Sequence, residues 1–293
     1  MKADVWRELY RIITLLARGL PRGSRRMPDR LIVLVLFFAA LHDRPVSWAV
    51  QRRHWPLWCR RRLPLLPSST TMSRRLQTAS VRAFIDHVLE HAQRDLPDSL
   101  YRMIDGKPLV IGNSSGDRQA GYGRAARGKA KGYKLHVLLH ASSKIAAWRV
   151  APMNVDERTM ALRLVRDAAA PGYVLADANY DSNRLHGQTR AGGGQLITPR
   201  RRPGRTLGRG KQRHDPSRLR SVTLTEGPGA MGRELLHERG AIERWLGTLT
   251  SFAGGLGPLP AWVRTHRRVR RWVAAKLAIN AVRISLNRRH RGS

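Results

Sequence analysis

The sequence predicts an α/β chain: a mixed sheet flanked by helices over residues 99–293, preceded by a small all-helical domain over residues 1–98. Three observations predict it. Apolar residues recur at helical spacing through the first part of the chain. From residue 99 strand-like runs take over, three in succession and then alternating with helices, an order that builds a mixed sheet with helices on its faces. A hydrophobic fraction of 42% supplies enough apolar surface for a sizeable core.

The elements follow in order. "WRELYRIITLLARGL" places Trp6, Leu9, Ile13 and Leu16 on one helical face. "LIVLVLFFAAL" (Leu31 to Leu41) is apolar on every side and shorter than the roughly 20 residues a bilayer span needs, so it reads as a core helix. Asp43-Arg44-Pro45 breaks it, because proline disfavours helix in the residue before it. "PSSTTMSRRLQT" carries a helix start signal ahead of Ser73, Arg74 and Arg75, a pattern compatible with a helix-turn-helix-like DNA reader. "VRAFIDHVLEHA" is an amphipathic helix; its His87 and His91 sit one turn apart with no third ligand nearby.

"YRMIDGKPLVIG" then reads as a strand, and "GYKLHVLLHA" with "AAWRVAPM" as a hairpin. Between them, "NSSGDRQAGYGRAARGKAKG" reads as a mobile loop whose Arg124, Arg127, Lys129 and Lys131 touch DNA backbone; no P-loop pattern is present. "NVDERTMALRLVRDAAA" is a helix with Asn154 as its N-cap. "YVLADANY" is a strand, "DSNRLHGQTRAGG" a short helix capped by Asp181, and "QLITPR" a strand. A basic insertion near 199–231, including Arg200, Arg201 and Arg202, precedes the helix "RELLHERGAIERWLGTLTSF". The basic C-terminal helix is expected to pack on the sheet domain with its arginines outward.

Lys+Arg number 55 against 20 Asp+Glu, a formal net charge of +35. Such a field attracts polyanions, with nucleic acid the default partner and a membrane surface the weaker one. The single Cys59 excludes an internal disulfide and a cysteine-based zinc cluster and suits a reducing cytosol.

Because acids are scarce, their placement is informative. Asp105 lies in or at the end of the first strand, and Asp177 ends the strand "YVLADANY". At ~100° per residue, Leu236, Arg239, Glu243, Gly247 and Thr250 share a stripe beside the apolar face of the late helix. Arg239 can there pair with Glu243 or with a phosphate. Three carboxylates converging on one point repel one another, and hard divalent cations relieve that repulsion. Asp105, Asp177 and Glu243 are therefore the candidate catalytic and metal-ligating residues. Two Mg²⁺ (Mn²⁺ as a substitute) are the expected cofactors for phosphodiester chemistry.

"IDGKPL", "KGYKLH", "LADANYDS" and "RGAIER" together resemble the bacterial insertion-sequence transposases of the DDE class, over about the last two-thirds of the chain. That family's Glu region shows Tyr, Arg, Glu and Lys at set spacing. Arg239 and Glu243 match here, whereas Leu236 and Thr250 stand at the Tyr and Lys positions. The resemblance implies an RNase H-like catalytic domain, cleavage of double-stranded DNA at transposon ends and transfer of the 3′-OH strand into target DNA. It also implies a dimer in the DNA complex and a bacterial cytoplasmic, nucleoid-associated location. A nuclease without strand transfer and an inactive DNA-binding relative are the alternatives.

Overall fold

The computed structural model describes residues 1–19, 27–63, 65–126, 128–201, 213–229 and 231–290. These fall into two compact units, Met1–Asp95 with Leu249–Ser293, and Leu96–Thr248.

The first unit is helical. It contains α1 (Lys2–Leu16), α2 (Asp29–Leu41), α3 (Val46–Ala49), α4 (Leu57–Arg62), α5 (Ser69–Arg75) and α6 (Ala79–Ala92). Every side chain from Leu31 to Leu41 in α2 is buried, as its uniform apolarity requires. A helix apolar all round needs neighbours on all sides. α1, α3, α5 and α6 supply some, and the C-terminal helix, numbered α12 below (His266–Arg289), supplies another. The expectation that α12 packs on the sheet domain is thus corrected: it packs on α1, α2 and α6. The run Val273 to Val282 explains why, since its side chains are buried throughout. Lys276 lies within that run and donates to the Ala40 carbonyl (2.6 Å), Asp43 Oδ1 (2.6 Å) and the Gly254 carbonyl (2.9 Å). Burial, against the pull of Asp43, lowers its pKa to about 8. Cys59 is buried beside Trp6, and burial pushes its thiol up to about 11, as suits a packing residue. Among the described residues no helix is long and apolar enough to cross a membrane.

The second unit contains β1 (Tyr101–Val110), β2 (Gly121–Ala125), β3 (Gly128–His140), β4 (Ile145–Pro152), α7 (Glu157–Asp167), β5 (Gly172–Leu175), α8 (Asn183–Ala191), β6 (Gly194–Ile197), α9 (Pro216–Glu226) and α10 (Met231–Glu238). α11 (Gly240–Ser251) follows. The sheet runs β2-β3-β1-β5-β6, with β4 also paired to β3. β3 is antiparallel to β1, β2 and β4, whereas β1, β5 and β6 are mutually parallel neighbours. This is the mixed sheet flanked by helices that the sequence predicts. Ile104, Leu138, Leu164, Val174, Leu185 and Leu196 form its core against α7 and α8. Gly172 lets β5 enter beside β1: its φ is +105°, and an added Cβ would lie 2.1 Å from the Leu100 carbonyl oxygen.

Four local expectations change. "GYGRA", read as part of a loop, is strand β2, because Gly121 to Ala125 pair with Gly132 to Gly128 despite their glycines. Asp156, not Asn154, caps α7, its carboxylate accepting the Arg158 and Thr159 N–H groups. The helix expected over Arg233 to Phe252 is divided into α10 and α11 at Arg239. The basic stretch before it contains α9, started by Asp215 and Pro216 at its first position.

Candidate active site

β1 and β5 run in parallel with Met103 opposite Leu175. Extending that register by two residues places Asp105 opposite Asp177. β5 itself stops at Leu175, and Asp177, still extended (φ −77°, ψ 175°), caps a 3-10 turn by accepting the Asn179 N–H at 2.8 Å. Asp105 Oδ1 likewise accepts the Gly106 N–H at 2.7 Å. A local backbone donor therefore holds one oxygen of each carboxylate. Neither has an ion-pair partner among the described residues.

The electrostatics show that the two sense each other. Burial raises the Asp105 pKa, and the charges of Asp177 and Glu157 raise it further; the Gly106 N–H and Arg239 oppose the rise. Tyr180 is part of the same neighbourhood. Burial pushes its hydroxyl well above the ordinary value, and Glu157, Asp105 and Asp177 add to the push. That hydroxyl is buried without a hydrogen-bond partner. Sequence reasoning missed both Tyr180 and Glu157. Glu157 opens α7 and is ion-paired with Lys134 Nζ, so its charge is already compensated. The acid-rich "VDER" after the β-hairpin is the one signal that could have drawn attention to it.

Glu243 is not gathered with the two aspartates. Its neighbours Ile242, Trp245, Leu246 and Leu249 are buried as the stripe predicts, but Glu243 is exposed and its Oε1 accepts from Arg239 Nη2 at 2.6 Å. Among the described residues no three His, Cys, Asp or Glu side chains stand close enough to hold a metal ion. Arg239 is the link. It is bonded to Glu243 and also near enough to Asp105 to draw its pKa down.

Asp181, expected as a helix cap, is corrected to a buried ion-pair residue. Ser182 occupies the cap position of α8 instead. Asp181 accepts from Arg218 Nε (2.7 Å) and Nη2 (2.8 Å) and from the Arg201 backbone N–H (3.3 Å), with His186 Nε2 at 3.5 Å. Burial pushes its pKa up, but the Arg218 and His186 contacts and the Arg218 charge more than offset this and hold it well below the usual carboxylate range.

The candidate DNA-contacting residues are dispersed. Arg124 and Lys129 face each other across the β2–β3 ladder, both exposed, and Lys129 and Lys131 lie over the Tyr122 ring. Arg200 is ion-paired with Glu226, whereas Arg201 is exposed. Ser73 and Arg74 are exposed at the end of α5, but Arg75 turns inward to Asp29 and the Met27 carbonyl. Arg127 and Arg202 lie outside the described residues.

The class these features define is a mixed α/β sheet flanked by helices, with one aspartate on β1 and a second just past the end of the parallel neighbour β5. Residues 98–287 match the family described as "Transposase DDE domain", and the chain belongs to that family of metal-dependent DNA transposases. Comparison with curated protein sequences gives no match. Among solved structures the chain is similar to a piggyBac transposase in a synaptic complex with hairpin DNA, determined by cryo-EM. That similarity has a TM-score of 0.46 at 10% identity and covers 100% of this chain and 73% of the other.

Proposed function

We propose that Asp105, Asp177 and Glu243 are the catalytic carboxylates of a transposase that cleaves double-stranded DNA at transposon ends and transfers the 3′-OH strand to target DNA. The observation that carries this reading is the pair Asp105 and Asp177, opposite each other when the β1–β5 register is extended, each held by a backbone N–H group and neither ion-paired among the described residues. The donor set suits a hard divalent cation: carboxylate oxygens on neighbouring strands with like-charge repulsion to relieve, beside the unpartnered Tyr180 hydroxyl. Two Mg²⁺, or Mn²⁺ in their place, would sit on Asp105, Asp177 and Glu243 and supply activation of the attacking oxygen and stabilisation of the leaving one.

The chain's own residues do the rest. The Gly106 and Asn179 N–H groups fix the two aspartate side chains before substrate arrives, so little reorganisation is left for the reacting complex. Arg239 holds Glu243 while DNA is absent. A DNA phosphate that takes the guanidinium leaves the Glu243 carboxylate free to turn toward the aspartates. The exposed Arg124 and Lys129 of the β2–β3 ribbon and the exposed Arg201 engage the duplex backbone. In this reading the helical unit binds DNA, the sheet unit of residues 96–248 forms the catalytic region, two copies act together on paired ends, and the enzyme works in the bacterial cytoplasm at the nucleoid.

The test is cleavage of duplexes carrying the element's ends, with Mg²⁺ or Mn²⁺. Asp177→Asn and Glu243→Gln are each expected to lower the rate by about 10²–10³-fold or more, with DNA binding retained. Full cleavage by Asp177→Asn would sink the assignment. Pre-cut ends that are never joined to target DNA would mark a nuclease instead. The Arg239–Glu243 pairing favours one further reading, an inactive relative, which wild-type cleavage would exclude.

A further inference from the structure

In the helical unit a cavity of ≈ 600 Å³ opens between α3, α5 and the start of α12. One rim presents Ser69, Ser73 and Gln77, each one helical turn from the next. The other presents Arg267, Arg268 and Arg271. These elements are remote in sequence and meet only because α12 packs into the helical unit.

Two nearby arginines are paired with acids, and the three lining the cavity are not. Arg75 meets Asp29, and Arg270 meets Asp86 at 2.9 Å. Arg267, Arg268 and Arg271 have no acidic partner among the described residues, and Arg267 and Arg268 are exposed. They also occupy the first turns of a 24-residue helix, its positive end, where cations are disfavoured. Arg271 donates to the Leu76 carbonyl, and burial followed by repulsion from Arg268, Arg82 and Arg267 brings its pKa to about 10. An anion seated between the rims relieves this repulsion. The hydroxyls of Ser69 and Ser73 and the Gln77 amide add neutral donors of the kind that fix phosphate oxygens.

We propose that this cavity is a backbone-phosphate site for double-stranded DNA, built jointly by α5 and the arginines of α12. The proposal rests on the reading of the chain as a DNA transposase and adds the place where the helical unit grips its substrate. It assigns Ser73 to the DNA-facing side of α5, while Arg75 serves the fold.

The test uses the full chain and a labelled duplex, with binding followed by fluorescence anisotropy across a salt titration. Each lost phosphate contact removes about 0.9 from the log–log salt slope, so Arg267→Ala with Arg268→Ala is expected to flatten it by about two. Affinity at low salt should fall at least about tenfold. Lysine at both positions keeps the charge and should restore most of the slope. Ser73→Asp places an acid opposite the arginines; it should raise the Tm of the free protein while weakening duplex binding. An unchanged slope in the double alanine variant overturns the proposal. So does a Tm rise with inorganic phosphate, lost in that variant, if duplex binding is unaltered; the site would then serve a small anion. A wild-type chain that binds no duplex removes the DNA reading as a whole, which distinguishes its failure from failure of this site alone.

Discussion

Asp177 and Asp181 lie four residues apart on one short stretch of chain, yet their surroundings are opposite. Asp177 lies two residues past the end of β5, half-buried, held by one local N–H and opposite Asp105 when the β1–β5 register is extended. Asp181 is buried and saturated by Arg218, with the Arg201 N–H and His186 beside it. The shifts follow: Asp105 is raised, by burial first, and Asp181 is lowered, by partners that more than offset burial. A carboxylate that the fold neutralises for itself serves the fold. A pair left to repel each other is arranged for something that binds later.

The largest stability effect expected from this contrast is at Asp181. Its alanine variant leaves Arg218 without its carboxylate in a part-buried setting, a loss of about 3 kcal/mol. Denaturant unfolding measures it, and the double variant with Arg218→Ala should cost less than the two single losses added. A loss below about 0.5 kcal/mol would place Asp181 among exposed pairs and end the contrast. The pH dependence sharpens it. Asp181 has a depressed folded-state pKa, so its stabilisation is complete above the unfolded value near 3.8 and is lost as pH falls below it. The gap between wild type and Asp181→Ala should therefore narrow in acid.

Asp105 predicts a smaller effect of the opposite sign. Its folded-state pKa is raised, so the ionised form destabilises the free protein, and this penalty develops as pH climbs from about 3.8 through the raised value. Asp105→Asn is expected to raise Tm at neutral pH and to lose that advantage in acid, while cleavage disappears. A lower Tm at neutral pH would mean that the carboxylate supports the fold.

The sequence pattern made one side of this comparison readable and hid the other. Asp105 and Asp177 sit at strand positions defined by alternation and by the β-α-β order, so their neighbourhood could be inferred from pattern alone. The partner of Asp181 is Arg218, 37 residues on and inside the basic insertion, and no local periodicity points across that distance. Asp181 beside a helix start therefore read as a cap. Strand β2 was hidden because glycines carry no hydrophobic signal, though their backbone pairs with β3. The place of α12 was hidden because an amphipathic basic helix does not state which apolar surface it will cover; the uniform apolarity of α2 contained that information only indirectly. Glu243 was legible in its helical phase and in its possible pairing with Arg239, one turn earlier; which of the two partners named for Arg239, Glu243 or a phosphate, it takes in the free chain is not written in the pattern.

That engagement gives the smallest predicted effect and the most direct check on the contrast. Arg239 and Glu243 form an exposed i,i+4 pair, and such pairs contribute about 0.3–0.5 kcal/mol. Arg239→Gln should therefore change unfolding free energy by no more than about 0.5 kcal/mol, far less than loss of Asp181. Its electrostatic effect falls on Asp105, because Arg239 is one of the groups restraining that pKa. Without it the Asp105 carboxyl should titrate higher, which carboxyl-resolved NMR of the metal-free protein can follow. A large stability loss in Arg239→Gln would show the arginine to be a structural partner like Arg218. An unmoved Asp105 titration would break the link between Glu243 and the strand-end acids. A small loss with a raised titration leaves Arg239 as the cation that stands beside these carboxylates until DNA claims it.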